Sequence, residues 1–360
     1  MSEPRLTALR ALLAQRLPQA QALLVAAPEN RRYLSGFRGD TALLWVTPTD
    51  AAILTDARFW EQAEAEAPDW RLVRVEKAET VEFIARLCAE AGVTALAFEP
   101  DQVSYATYRA WRRGCRGVRL LPVPDLLGDL RLVKDPEELA AIRRSAALTD
   151  EAFAAWLPSV RAGETEAALA AEFEYRLRRA GADGVSFPPI IAAGPGGAMA
   201  HAIPGPRPLR AGEVVVVDVG AVWGGYCSDM TRTVRVPGGA PPPDAAAVWD
   251  TVRRALDAGV AAVRPGATGV EVDAAARGVI AAAGYGGYFG HGTGHGVGLA
   301  VHERPRLSPL ADPRVRLPAG AVVTVEPGVY LPGRFGVRLE QLVLVGAAGA
   351  EVLSATPLGF

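Results

Sequence analysis

Residues 209–220, LRAGEVVVVDVG, align without a gap with residues 317–328, LPAGAVVTVEPG, at an offset of 108. Seven of the twelve positions are identical, and Asp218 falls opposite Glu326. Each unit is an apolar run of strand length that ends in a carboxylate and then meets a glycine. Each is followed by a turn and a second strand-like segment with a further acid, Asp229 in YCSDMTRTVRV and Glu340 in FGVRLEQLVLV. The match predicts a duplicated half-domain whose two hairpins each present two acids towards a pseudo-twofold axis. It is a pair of units, not a solenoid array.

Upstream of the repeat, the segment LRLVKDPEELAAIRRSAALTDEAFAAW opens a long amphipathic helix. Asp135 reads as its N-cap, Pro136 occupies its first turn and Glu138 lies three residues after the cap. A domain boundary is placed just before it, giving residues 1–131 and 132–360. The first third alternates helical pieces (RLTALRALLAQRL, EQAEAEA, TVEFIARLCAEAG) with short apolar runs (ALLVAAP, TALLWVTP, AAILTD, ALAFEP) stopped by Pro, Asp or Thr. That pattern predicts an α/β domain ahead of the duplicated domain.

Composition narrows the function classes. A net charge of −2 leaves no electrostatic footprint for nucleic acid or an anionic membrane, so neither is expected as a partner. The arginine cluster WRRGCRGVR (111–119) reads as a solvated helix end, with an anion patch as the alternative. The three cysteines, Cys88, Cys115 and Cys227, are odd in number and form no C-x-x-C pair, as suits a reducing compartment. The start, MSEPRLTALR, does not read as a signal peptide, and no apolar run approaches the ~20 residues that span a bilayer. A cytoplasmic protein is expected.

Three of the four histidines, His291, His295 and His302, fall within twelve residues of YFGHGTGHGVGLAVHERP. Neutral imidazole is the commonest metal ligand and titrates near neutrality, so the cluster points to one site. Taken singly, Asp229 reads equally as a turn residue, Glu326 as a loop acid, Glu340 as an exposed strand residue and the histidines as solvated loop residues. Taken together, the duplication sets the acids at matching points. Four carboxylates brought together without a counter-ion would largely protonate, because like charges raise one another's pKa. Asp218, Asp229, Glu326 and Glu340 with His295 make five donors, four of them hard oxygens. Such a set suits two divalent ions sharing carboxylates ~3.5–4 Å apart, and it favours Mn²⁺, Co²⁺ or Zn²⁺.

The segments DVGAVWGGYCSDMTRT, HGTGHGVGLAVHERP, TVEPGVY and GVRLEQ resemble the metal-binding motifs of the pita-bread metallopeptidases: methionine aminopeptidase, aminopeptidase P and prolidase. NRRYLSGFRGDTALLWVT with LTDARFWEQA is similar to the creatinase-type N-terminal domain of the last two. The resemblance covers almost the whole chain and implies an α+β pita-bread catalytic domain. It implies further that Asp218 chelates one metal, that His295 and Glu326 bind the other, and that Asp229 and Glu340 bridge the pair, with Mn²⁺ the expected ion. Glu326 resembles the family's general base. His291 and His302 resemble imidazoles that contact substrate and the tetrahedral intermediate, and His201 in AGPGGAMAHAIPG matches a further active-site histidine. Arg338 matches an arginine that hydrogen-bonds a bridging ligand or a nearby acid and so fixes ligand orientation. The chain departs from the family pattern in having Gln341 where Asp or Asn commonly follows the last glutamate, and Gly and Ala before His201 where relatives often have Asn and Pro.

The creatinase-like first domain argues against methionine aminopeptidase, and the full donor set argues against metal-free creatinase. What remains is hydrolysis of the bond before proline, whose nitrogen has no hydrogen to donate. Arg306 in HERPRLS lies where prolidases place an arginine suited to a dipeptide's free carboxylate. The resemblance therefore favours a prolidase acting on Xaa-Pro dipeptides, as a homodimer. The alternatives are an aminopeptidase P acting on longer Xaa-Pro peptides and a metal-free binding module on a dead peptidase fold.

Overall fold

In a computed structural model of the chain, which describes residues 2–76 and 80–359, the four apolar runs of the first third become the four inner strands of one six-stranded mixed sheet, whose edge strands, Arg71–Arg74 and Arg119–Pro122, the sequence reading did not anticipate. The sheet order is Arg71–Arg74, Ala51–Thr55, Leu43–Val46, Ala22–Val25, Ala95–Phe98, Arg119–Pro122. Leu43–Val46 runs antiparallel to both neighbours, and the other neighbouring pairs are parallel. The helix Pro28–Ser35, short and polar on its exposed side, was not anticipated, and of Tyr105–Gly114 only the end was. The arginine cluster is a helix end: Arg112 and Arg113 are exposed in the last turn of Tyr105–Gly114, where cations suit the carbonyl-rich terminus. Contacts divide the chain into two units, Met1–Arg131 and Leu132–Phe360.

The second unit starts with the helix Pro136–Trp156. Asp135 accepts from the N–H groups of Glu137 and Glu138, and the Glu138 side chain reaches back to the Asp135 N–H, forming a complete capping box. Beyond it the fold is built twice. In the first copy, the helices Pro136–Trp156 and Glu166–Arg179 cover the strands Ile190–Ala193 and Val214–Val219. In the second, Ala245–Ala262 and Gly269–Ala282 cover Val322–Val325 and Gln341–Gly346. Each copy thus has its own apolar core. Val214–Val219 lies between Met230–Arg235 and Ile190–Ala193, antiparallel to both. Val322–Val325 lies between Gln341–Gly346 and Gly294–Gly296, also antiparallel to both.

The duplication is longer than the twelve residues that announce it. VRAGET (160–165) corresponds to VRPGAT (263–268), and both threonines cap the helix that follows. Gly163 N donates to Leu209 O at 2.9 Å as Gly266 N does to Leu317 O, and Leu209 N and Leu317 N return bonds of 2.8 Å to Glu164 O and Ala267 O. In each copy the return is also more elaborate than a single turn. A small hairpin intervenes: Ala221–Trp223 with Tyr226–Cys227 in one, and Gly328–Leu331 with Phe335–Arg338 in the other. Asp229 and Glu340 therefore sit just before the return strands rather than on them.

Both copies of the Ala-Gly turn place their glycine in the left-handed region, Gly212 at φ 82° and Gly320 at φ 91°. A side chain at either position costs about 1–2 kcal/mol in that conformation. At Gly212 an added Cβ would also lie 2.2 Å from Ala240 O, whereas at Gly320 its nearest neighbour is a Val133 methyl at 3.0 Å. Gly320→Ala is expected to lower the urea midpoint modestly and Gly212→Ala to lower it clearly more. Equal midpoints would contradict the added cost assigned to the Ala240 carbonyl at Gly212.

Candidate metal centre

The duplicated strands end at a common point. Asp218 lies near the end of Val214–Val219, Asp229 precedes Met230–Arg235, Glu326 follows Val322–Val325 and Glu340 precedes Gln341–Gly346. Asp229 and Glu340 are buried, and Asp218 and Glu326 are half-buried. Carboxylate oxygens of Asp218, Asp229 and Glu340 lie within 4.8 Å of one another. His295 closes the set on the short strand Gly294–Gly296, its Nε2 3.6 Å from Asp229 Oδ2 and 3.5 Å from Glu326 Oε1. The strand reaches so far in because glycines flank the histidine: a Cβ at Gly294 or Gly296 would lie 2.1 Å from a neighbouring backbone carbonyl oxygen, of Thr324 or Arg304.

The charge balance of this cluster is unfavourable without cations. Burial, then the neighbouring Glu340, Asp218 and Glu326, push the Asp229 carboxyl well above the ordinary range. Burial with Glu340 and Asp218 does the same to Glu326, and burial with Asp218 raises Glu340 to about 8. Two buried oxygens, Asp218 Oδ1 and Glu340 Oε1, have no hydrogen-bond donor. His295 Nδ1 lies 3.1 Å from Gly296 O, which can only accept, so the proton is on Nδ1 and the Nε2 lone pair faces the acids. Burial lowers the imidazole's pKa to about 4, which keeps it neutral. Hard oxygens, unpartnered lone pairs and an aimed imidazole nitrogen fit a divalent metal pair.

One guanidinium lies within the cluster. Arg338 is 3% exposed; its Nη2 donates to Asp218 Oδ2 at 2.5 Å, its Nε to Thr231 Oγ1 at 3.1 Å and its Nη1 to the Tyr330 phenol at 2.9 Å. Burial disfavours its charge, but Tyr330, Asp218 and Glu326 outweigh that and raise its pKa. Thr231 Oγ1 donates in turn to Glu340 Oε2 at 2.9 Å. Tyr330 and Thr231 stand inside the quoted motifs, yet the sequence reading gave them no task. Gln341 accepts from the buried Arg232 at 3.3 Å, so the departure from Asp or Asn is used in packing.

The other histidines divide in two. His302 is exposed, its ring set edge-on to that of His295 with centroids 4.3 Å apart. His201 is exposed and follows Ala200, whose carbonyl accepts from Arg338 at 3.2 Å. His291 differs from the expectation of a substrate contact. Its Nδ1 donates to Gly292 O at 2.7 Å, and its Nε2 accepts from the Tyr330 hydroxyl at 2.8 Å. Neither ring nitrogen is left over. Burial holds the imidazole at about 4, hence neutral, and raises Tyr330 to about 12, so the phenol keeps the proton it donates. Arg306 lies on Glu303–Leu307 directly opposite His295, which places the two side chains on one sheet face, and it is exposed.

Comparison with known proteins follows the same lines. The model for metallopeptidase family M24 matches residues 140–347, and that for the creatinase/prolidase N-terminal domain matches residues 5–133. The chain is 32% identical over 338 residues to the Xaa-Pro dipeptidase of Pyrococcus horikoshii, covering 93% of both. A solved Xaa-Pro dipeptidase from Bacillus anthracis superposes with a TM-score of 0.94 at 33% identity, covering 99% of this chain and 98% of that one. An X-Pro aminopeptidase from Thermotoga maritima superposes at 0.88 and 32% identity, covering 96% and 99%.

Raised carboxyl pKa values fix the sign of the pH response. The metal-free folded protein holds protons that the unfolded chain releases in the ordinary carboxylate range, so its stability falls as pH rises from there towards about 8. Divalent ions bound among these carboxylates would displace those protons. Calorimetric titration of Mn²⁺ into metal-free protein at pH 7, in two buffers of different ionisation heat, is expected to show net proton release. Unfolding midpoints should fall with pH for the metal-free form and stay flatter for the loaded one. Metal uptake without proton release would refute the protonated cluster.

Proposed function

The chain belongs to metallopeptidase family M24, with a creatinase/prolidase N-terminal domain ahead of a pita-bread catalytic domain, and from that premise we propose that it hydrolyses the peptide bond preceding proline in Xaa-Pro dipeptides. The observation that supports the reading most is the meeting of Asp218, Asp229 and Glu340 with His295 and Glu326 at the join of the two copies. Asp218 would hold one ion, His295 and Glu326 the other, and Asp229 and Glu340 both; Mn²⁺ is the preferred ion, with Co²⁺ or Zn²⁺ as substitutes. When bound, such ions supply Lewis-acid polarisation of the scissile carbonyl and a lowered pKa for the attacking water.

The protein's own groups do the rest. Glu326 takes the proton of the attacking water at a carboxylate oxygen and delivers it to the departing proline nitrogen, which has no proton of its own. His302, exposed and edge-on to His295, and His201, exposed next to the Ala200 carbonyl that Arg338 holds, offer ring N–H groups to the tetrahedral oxyanion. Arg338 holds Asp218 in place, and His291 acts through the Tyr330 phenol that Arg338 also grips. Arg306, on the His295 face, receives the dipeptide carboxylate.

An aminopeptidase P activity on longer Xaa-Pro peptides is the second reading, favoured by the likeness to the Thermotoga maritima enzyme. A homodimer is proposed from the family. A cytoplasmic site is proposed from the three cysteines, which are buried and joined by no disulfide. No helix among the described residues is long and apolar enough to cross a membrane.

Purified protein is expected to lose Xaa-Pro hydrolysis on chelation and regain it with Mn²⁺, and Asp229→Asn to lose metal and turnover together. An inert protein that takes up no metal would leave the binding-module reading standing. Arg306→Ala is expected to raise KM for a dipeptide such as Ala-Pro far more than for Ala-Pro-Ala. Faster wild-type cleavage of the tripeptide would move the assignment to aminopeptidase P.

A further inference from the structure

Asp273 is 2% exposed on the helix Gly269–Ala282, and one turn later the same helix carries Arg277. Arg277 pairs with Asp273 through Nε at 2.7 Å and Nη2 at 2.8 Å. The pair then closes on the histidine loop from both ends. Arg277 donates to Phe289 O at 2.9 Å and His291 O at 2.7 Å, while Asp273 Oδ1 accepts from Thr293 N at 3.1 Å and Thr293 Oγ1 at 2.8 Å. Thr293 O accepts from Glu326 N at 2.7 Å.

We propose that Asp273 and Arg277 are positioning residues that lock the glycine-rich loop, and through it set His291 and Tyr330 on one side and Glu326 on the other. The proposal rests on reading the site as a peptidase centre. The loop needs an outside restraint: residues 290, 292, 294 and 296 are all glycine, the residue with most backbone freedom to lose. The path from the clamp is continuous. It runs from the His291 backbone to its ring, to the Tyr330 hydroxyl, to Arg338 and to Asp218.

The duplication supplies an internal control. Helix Glu166–Arg179 corresponds to Gly269–Ala282 at an offset of 103, and the buried faces coincide: Leu169 with Val272, Phe173 with Ala276, Leu177 with Ile280. Asp273 and Arg277 then fall opposite Ala170 and Glu174. The first copy builds the same helix-on-sheet layer without the pair. The clamp is therefore not a requirement of the fold; it stands in the copy whose loop carries His291 and His295.

The test is a double-mutant cycle on Ala-Pro hydrolysis with metal-loaded protein: Arg277→Lys, His291→Ala and the double variant, with metal content and thermal midpoint measured for each. Arg277→Lys keeps the charge but cannot reach two carbonyls and Asp273 together. It is expected to lower kcat about 10–100-fold with metal content and midpoint at wild-type values, and to cost clearly less once His291 is alanine, the remainder being the share that passes through Thr293 to Glu326. The same fractional loss in both backgrounds would overturn the proposal. Amide hydrogen exchange gives a reading independent of turnover: exchange across residues 289–296 should quicken in Arg277→Lys while that of Val322–Val325 holds. Unchanged loop exchange would overturn the clamp even if the protein cleaved no Xaa-Pro peptide, a result that would by itself count only against the functional reading. Should Arg277→Lys fail to fold, Asp273→Asn enters the same cycle with the same deciding outcomes.

Discussion

Carboxylate oxygens within 4.8 Å of one another, on residues as buried as Asp229 and Glu340, repel in a medium that screens them poorly. One guanidinium, Arg338, is too little charge to balance Asp218, Asp229, Glu326 and Glu340. The arrangement persists only where protons or cations make up the difference. Much of the catalytic unit can be understood from that requirement. Apolar strands deliver the acids at their ends, small hairpins bring in Asp229 and Glu340, and Thr231, Tyr330 and Arg338 fix which oxygens face the metal position. Donors that orient acids in this way matter to metal affinity nearly as much as the ligands do.

Duplication solves the problem of assembling four acids, but two identical halves would make a symmetric site, and a hydrolase needs a side for substrate and a side for support. The differences between the copies supply it. The helix that begins at Gly269 lets its start pack against the Arg306 backbone, where a Cβ would lie 1.9 Å from the carbonyl oxygen. Its counterpart begins at Glu166, whose buried carboxylate accepts from Ala193 N at 2.9 Å and Gly205 N at 3.2 Å and so braces the segment that carries His201. The second copy alone carries His295, Arg338 and the Asp273–Arg277 pair. Symmetry gathers the charge, and asymmetry gives it direction.

The sequence reading reached the duplicated strands, the α/β first unit and the capping box at Asp135, and it proposed as ligands five residues that the fold gathers at one point. These were legible because each rests on a local pattern: apolar runs stopped by an acid, a cap three residues from a glutamate, glycines around a histidine. The longer repeat was missed because between 160–181 and 263–284 it survives mainly as turns and caps, while the helix faces changed. Tyr330 and Thr231 were missed because a phenol and a hydroxyl have no signature spacing. Their importance comes from what stands 3 Å away, and those neighbours lie far off in sequence.

The sequence alone determined that paired hairpins would each present two carboxylates, that one imidazole would join them and that such a set demands divalent cations. Like charges share a buried site only when protons or cations offset them, and that holds for any arrangement of the chain. Only the tertiary structure decided which oxygen each donor grips, that His291 spends both ring nitrogens on Gly292 and Tyr330, and that Asp273 and Arg277 hold the histidine loop. Hydrogen bonds depend on distances of a few tenths of an ångström between residues brought together by packing, and no one-dimensional pattern encodes those distances.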